Sequence, residues 1–528
     1  MPVSRRRLLR AGVVFAAPFL RAVPGRAATL VRSPYLQNQR ATRVTIRWTT
    51  LEDGDGLVQF STDRNYNRSV ATRAVERTPE ETGLNFTYYR HHAVLTGLAT
   101  DTQYYYRIQV EGQDLDAGED LEFRTTGAGS FDFLVIGDSG LGTSQQRELA
   151  RLMERERASL LVHTGDLVYP DGTFEAYERR YFDYYQRLMR RMPFFPTPGN
   201  HDYYKTGGMP YVAVHSLPAE SVPEADAGRY YSFELGNVHF ICLDSNTPLE
   251  RAARNLGPML RWLETDLQNA RRFWRVAYFH HPPFAGGPNQ NDPLSRLVRD
   301  HIVPVLERHN VPIAFSGHEH SYQRSYPLRN GQPVDTGAGT VYITSGGGGA
   351  SLYPVYPNRQ TAIGSSSYHY MRAQVTGSRM ELRTIRPDGV EIDAFTIAPP
   401  PVLSNGAVVN AASLSPEISA GGLVSIRGLQ LAASESQALR VPLPRTLGGV
   451  VVRFNGRELP LLFTSPTQVN AQLPFDALGP GTLEVTTENG AAGVPVFVAE
   501  VAPAIFSVPV EGNVVPAVVH ANGQIVTP

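Results

Sequence analysis

Five times between residues 131 and 320 a short apolar run gives way to a polar motif, and four of the five motifs contain a glycine. Phe131 to Ile136 runs into Gly137-Asp138-Ser139-Gly140, and Leu160 to His163 into Thr164-Gly165-Asp166-Leu167-Val168-Tyr169. Phe194-Phe195-Pro196 precedes Gly199-Asn200-His201-Asp202, Val276 to Phe279 precedes His280, and Ile313 to Ser316 precedes Gly317-His318-Glu319-His320. Runs of this length read as buried strands. Helical periodicity over Gln145–Arg157, Phe174–Arg191 and Leu260–Arg272 separates them, and strands alternating with helices predict an α/β layered domain. In such folds binding groups gather beyond strand ends, so motifs scattered along the chain can converge.

The flanks have another period. From about residue 30 to 126, alternating segments such as Val44–Thr50 and Gly56–Thr62 predict an all-β domain. Leu98 to Ile108, a Leu, a turn and a strand opened by tyrosines, resembles a fibronectin type III sandwich, where a tyrosine hydroxyl returns to the backbone. Pro399-Pro400-Pro401 marks a linker, and the remainder is strand-like and rich in Val, Leu, Gly and Pro. It resembles an Ig-like C-terminal module of bacterial secreted proteins, whose usual continuation would add a strand after Pro528; the stop there reads as truncation. The expected organisation is an export signal at 1–28, a β-sandwich at 30–126, an αββα-layered catalytic domain at 130–398 and an Ig-like module at 406–528.

Ser4-Arg5-Arg6-Arg7 precedes apolar Ala11 to Leu20 and then Pro24-Gly25-Arg26-Ala27-Ala28, which resembles a twin-arginine export signal; an ordinary secretory signal is the alternative. Either places the protein in the periplasm or outside the cell. Ten apolar residues are too few to span about 30 Å of hydrocarbon, so no transmembrane segment is expected. A formal charge of −1 and a pI near 6.9 give no electrostatic case for nucleic acid or an anionic membrane. The single cysteine, Cys242, excludes an intrachain disulfide and lies in an apolar run as a small hydrophobe.

Taken together and in order, the five motifs resemble the purple acid phosphatases among the calcineurin-like metallophosphoesterases, over roughly residues 130 to 345. That resemblance implies a secreted phosphomonoesterase with a dinuclear centre, Fe(III) plus a divalent Fe, Zn or Mn ion, in which a metal-bound hydroxide attacks the ester. Two close cations repel, and a shared anion screens them; Asp166 is the natural bridge. Oxygen donors for a hard trivalent ion are Asp138, Asp166 and the Tyr169 phenolate, with one imidazole. The softer ion suits His280, the His318/His320 pair and the Asn200 amide; the resemblance assigns His320 to iron and His318 to the divalent ion. Tyr169 is the residue that separates the purple group from its relatives. The resemblance sets His201 beside the phosphate, paired with the carboxylate of Asp202, where it protonates the leaving alkoxide or binds a phosphate oxygen. The resemblance also turns Asn200 towards the substrate.

There are departures and rival readings. Ala277 stands where the family has valine, and Pro283 to Asp292 lacks the family's further substrate-facing histidine; His281 is the candidate to take that role. Singly, Asp138, Asp166 and Asn200 could merely cap helices. A phosphodiesterase with the same metals is the alternative enzyme, since a two-metal clamp serves either displacement. A non-catalytic cell-surface protein, making contacts through its C-terminal module, is the alternative outside enzymes.

Overall fold

A computed structural model describes residues 28–115, 121–246, 252–510 and 513–517; the expected export signal lies outside these, apart from its last residue. The N-terminal domain is a pair of facing sheets. One has the order Leu30–Arg40, Arg43–Thr50, Tyr88–Leu95, Val75–Arg77. The other runs Arg68–Thr72, Gly56–Ser61, Gln103–Val110, Gln113–Leu115, with Leu121–Arg124 also on Gln103–Val110. Period two sends Ile46, Trp48, Val58, Phe60, Tyr104 and Ile108 into the shared core. The Tyr104 hydroxyl accepts the Ala99 N–H at 2.8 Å, the return to the backbone that its tyrosine-rich strand suggests. This domain is tied to the next: Tyr35 donates to the Val214 carbonyl at 2.8 Å, and buried Arg47 donates to the Ala213 carbonyl at 2.8 Å.

The central domain stacks two sheets between helices. The first has the order Phe194–Pro196, Leu160–His163, Phe131–Ile136, Tyr370–Thr376, Arg379–Ile385, Glu391–Ile397. The second runs Tyr231–Leu235, Val238–Cys242, Trp274–Tyr278, Ile313–Ser316, Thr340–Ser345, Tyr322–Arg329, Gln332–Pro333, with Thr361–Ser365 also on Tyr322–Arg329. The strand Phe131–Ile136 shows why the layers form. Phe133 and Val135 point between the sheets against Phe240, Val276 and Phe315, while Leu134 and Ile136 point outward under Leu149, Met153 and Tyr177. Helices cover the far face of the second sheet in the same way, Leu263 and Leu306 packing on Ile241 and Ala277.

Three helices differ in detail from expectation, and the one expected at Leu260–Arg272 spans Ala252–Asn269. The helix expected at Gln145–Arg157 spans Ser144–Met153, opened by the Thr143 hydroxyl accepting the Gln146 N–H. It stops early because the chain must turn into the next strand, where Ser159 N–H meets the Asp132 carbonyl. The Phe174–Arg191 helix is present as Phe174–Tyr177, a π turn at Glu178–Phe182 and Asp183–Met189.

Two more sheets and a two-stranded pair, Ser507–Val510 with Asn513–Pro516, form the C-terminal region. One is Val402–Asn410, Leu423–Leu429, Gln468–Gln472, Leu461–Thr464 and Ser436–Gln437. Its partner is Ile418–Ser419, Gly490–Ala499, Gly479–Thr487, Val450–Phe454 and Thr446–Leu447, and Val424, Ile426, Val452, Val469 and Leu483 fill the space between. The first strand begins at Val402, ahead of the expected start at 406. Among the described residues no helix is long and apolar enough to cross a membrane.

Candidate metal centre

Four of the strands that carry motifs run parallel to a neighbouring motif strand: Phe131–Ile136 with Leu160–His163, and Trp274–Tyr278 with Ile313–Ser316. The strand Phe194–Pro196 is parallel to Leu160–His163 as well. The motif strands of each sheet therefore end on a common rim, and contacts such as the His318 N–H to Asp138 at 3.0 Å and His280 Nε2 to Asp166 at 3.5 Å bring the motifs of the two sheets together there. The turns are tight. Asp138, Asp166 and His318 adopt φ of 55°, 52° and 68°, a left-handed backbone that side chains other than glycine rarely take. Glycine makes the crowding feasible: a Cβ on Gly199 would sit 2.1 Å from Asp166 Oδ1, and one on Gly317 would sit 2.4 Å from Asp138 Oδ2.

On one side lie Asp138, Tyr169 and His320. The Tyr169 hydroxyl is 3.1 Å from His320 Nε2 and 3.3 Å from Asp138 Oδ1, and His320 Nε2 is 3.5 Å from that same oxygen. On the other side His280 Nε2 and His318 Nδ1 stand 3.0 and 3.1 Å from the Asn200 Oδ1. Asp166 is between them: its Oδ1 is 3.5 Å from His280 Nε2, and Asp138, Asp166 and His320 bring their donor atoms within 4.8 Å of one another.

The donor chemistry of the second side fits a cation. His280 Nδ1 lies 2.9 Å from the Thr164 carbonyl, which accepts a proton there and leaves Nε2 as a lone pair. The Asn200 Nδ2 donates to the Tyr204 hydroxyl at 3.0 Å, which turns Oδ1 inward. Lone pairs thus converge at 3.0 Å, an arrangement that a cation between them makes favourable. On the first side His320 Nδ1 likewise meets the Ser351 carbonyl at 2.7 Å.

Burial reinforces this. It holds His280 and His320 below the usual imidazole range and, with His280 nearby, takes His318 down to about 3, which favours the lone-pair form a cation needs. Burial and the neighbouring Asp166 push Asp138 well up. Asp166 is lower than usual: burial opposes its charge, but the His280 and His201 rings and the His201 N–H outweigh it. Burial, Asp166 and Asp138 raise the Tyr169 phenol well above its ordinary value, so forming a phenolate here requires a cation.

Two expectations are corrected. His201 is not paired with Asp202: its Nδ1 meets the Pro170 carbonyl at 2.7 Å, and its ring lies 4.3 Å from that of Tyr169. Asp202 is fully buried and turned into the body, where it accepts from Gly199 N–H at 2.8 Å, Leu167 N–H at 3.2 Å and the Tyr177 hydroxyl at 2.8 Å. Sitting three residues after Gly199, it bonds that glycine's N–H and holds the two motif loops together; burial and Asp166 raise it to about 7. His281 does not face a substrate either. It is 1% exposed, its Nδ1 lies 2.8 Å from the Ser245 hydroxyl, and its Nε2 points towards Asp292. Sequence reading passed over Tyr204, Tyr353, which stacks on His320 at 4.1 Å, and Asp292. Only Asp292 carried a signal, as an acidic residue before Pro293 at a helix start.

Layers, rim and donor set define a metallophosphoesterase domain, and residues 131–322 match the calcineurin-like phosphoesterase family. The domain before it, residues 32–125, matches the N-terminal domain of purple acid phosphatases, so the chain carries both parts of that group of proteins. Purple acid phosphatase 23 of Arabidopsis thaliana is 29% identical over 296 residues, 49% of this chain and 62% of the plant protein. The chain thus spans less than two thirds of that relative's length. Acid phosphatase type 7 of Mus musculus is 25% identical over 65% of this chain and 85% of its own length. In fold, the purple acid phosphatase from yellow lupin (Lupinus luteus) seeds superposes with a TM-score of 0.61 at 18% identity, covering 70% of this chain and 75% of the lupin chain.

Proposed function

We propose that the chain is an exported phosphomonoesterase working with a dinuclear metal centre. The observation that carries this is the convergence of His280 Nε2 and His318 Nδ1 within 3.1 Å of Asn200 Oδ1, beside a second cluster whose Asp166 lies 3.5 Å from His280 Nε2. Asp138, Tyr169 and His320 would hold Fe(III), Asn200, His280 and His318 a divalent ion, and Asp166 both. The cations, when bound, supply positive charge to clamp phosphoryl oxygens and make water nucleophilic at mild pH.

The protein's own groups do the rest. The Pro170 carbonyl fixes the proton of His201 on Nδ1, which leaves Nε2 as the atom that bears a second proton and passes it to a departing alkoxide. The Tyr204 ring stands 4.8 Å from that of His201 and bounds the same mouth. Asp202 keeps the Gly199 and Leu167 turns in register, so that His201 and Asp166 stay in place. The paired arginines near the N-terminus support export, and the two facing C-terminal sheets support an Ig-like module.

The test is metal analysis of the purified protein with its visible spectrum and its turnover of p-nitrophenyl phosphate. About two metal ions per chain, one of them iron, and a charge-transfer band lost in Tyr169→Phe are expected. A colourless wild type holding two zinc ions at full activity would reject the iron assignment, and a metal-free, inactive protein would reject the enzyme.

A further inference from the structure

Each of the three clustered imidazoles turns its outer nitrogen to an oxygen. For His280 and His320 that oxygen is a backbone carbonyl, of Thr164 at 2.9 Å and of Ser351 at 2.7 Å. His318 is reversed: Nδ1 faces the cluster, and Nε2 faces outward with the Asp292 carboxylate 3.6 Å away. We propose that Asp292 is the positioning residue for His318, drawing the ring proton to Nε2 and keeping Nδ1 as the lone pair offered to the divalent ion. The inference rests on the two-metal reading above. At 3.6 Å the contact is a charge–dipole interaction between the carboxylate and the ring N–H rather than a full hydrogen bond. It strengthens as the ring gives electron density to a cation, which is how carboxylates behind ligand histidines raise metal affinity. Asp292 is the anionic member of the three acceptors, so the divalent half gains a charge that a carbonyl does not give.

The carboxylate is held for this position. Its loop starts at Gly286, whose N–H and carbonyl both bond the Gln323 side chain, at 2.8 and 3.0 Å. Midway, the Asn289 N–H donates to Glu319 Oε1 at 2.6 Å, and Glu319 is the residue between His318 and His320. At the end Asp292 caps the helix Pro293–Leu297 by accepting the Ser295 N–H at 3.3 Å. Glu319 thereby couples the His-x-His motif to the loop that carries Asp292. The same carboxylate oxygen is 3.9 Å from His281 Nε2, so His281, buried behind the cluster, steadies Asp292 from the other side.

The cap makes a clean variant available. Asp292→Asn keeps shape and helix cap and removes the charge; Asp292→Glu keeps the charge. Full-length protein, wild type and both variants, would be loaded with iron and zinc and equilibrated with increasing dipicolinate, then assayed for both metals; melting of the metal-free chains would be measured alongside. Asp292→Asn should lose zinc at about 10- to 100-fold lower chelator than wild type. Iron content and metal-free melting should match wild type, and Asp292→Glu should retain more zinc than Asp292→Asn. Zinc retention equal to wild type in Asp292→Asn overturns the proposal. So does joint loss of iron and zinc with lowered metal-free melting, or an Asp292→Glu variant no better than Asp292→Asn. A wild type that takes up no metal overturns the two-metal reading first and this inference with it.

Discussion

The two halves of the rim are built differently. Asp138, Tyr169 and His320 are all buried, at 0%, 5% and 7% exposure, and contribute two oxygen donors and one nitrogen. Asn200 and His318 are half-buried, and with His280 they contribute two nitrogens and a neutral amide oxygen. The first half leans on strand ends and on the Ser351 carbonyl, the second on Tyr204 at the mouth and on a loop ending at Asp292. A buried, oxygen-rich site favours a hard ion held permanently; a more open, nitrogen-rich site favours an exchangeable one. Asp166 is the part the halves share, and it is the place where the comparison can be broken.

The largest effect is expected there. Asp166→Asn should reduce turnover to background and deplete both metals, well beyond the roughly 100-fold that outer-shell changes cost; normal metal content and rate would remove the bridge from the scheme. His201→Ala should come next, leaving both metals in place. Esters with alkyl leaving groups should slow about 10²- to 10⁴-fold and p-nitrophenyl phosphate much less. Equal losses on both would make His201 a phosphate ligand instead of a proton donor. The smallest change sharpens the contrast between halves: Asn200→Ala should weaken zinc retention alone, with rate restored by excess zinc. Iron lost in parallel would mean the halves are not separable.

Much of this is legible in the amino-acid sequence. Apolar runs ending in Gly-Asp, Gly-Asn-His and Gly-His-x-His announce strands whose ends carry candidate donors, because alternation and burial fix strands while polar turns collect beyond them. Local capping alone does not explain Asp138, whose two oxygens both receive the His318 N–H at 3.0 Å from far along the chain. What escaped was anything set by a backbone atom or by side-chain direction. The acceptor for His201 is a carbonyl, that of Pro170, and a carbonyl has no sequence signature. Adjacent residues His201 and Asp202 looked like a pair, yet on a helical turn consecutive side chains diverge, and one faces the mouth while the other enters the core. His281 fails as a substrate group for a related reason: next to His280, its ring goes to Ser245 behind the cluster.

The left-handed turns at Asp138, Asp166 and His318 carry a consequence for how this chain can change over time. A non-glycine residue in that conformation costs about 1 kcal/mol or more. Glycine at any of the three would relax the backbone but delete a donor and, at Asp138 and Asp166, the acceptor of the His318 and His201 N–H groups, so the strain is relieved only by dismantling the proposed centre. The backbone strain at these three positions is therefore tied to the chemistry proposed for them. A thermostable descendant that keeps the chemistry must find its added stability elsewhere, in the sandwiches that flank the rim.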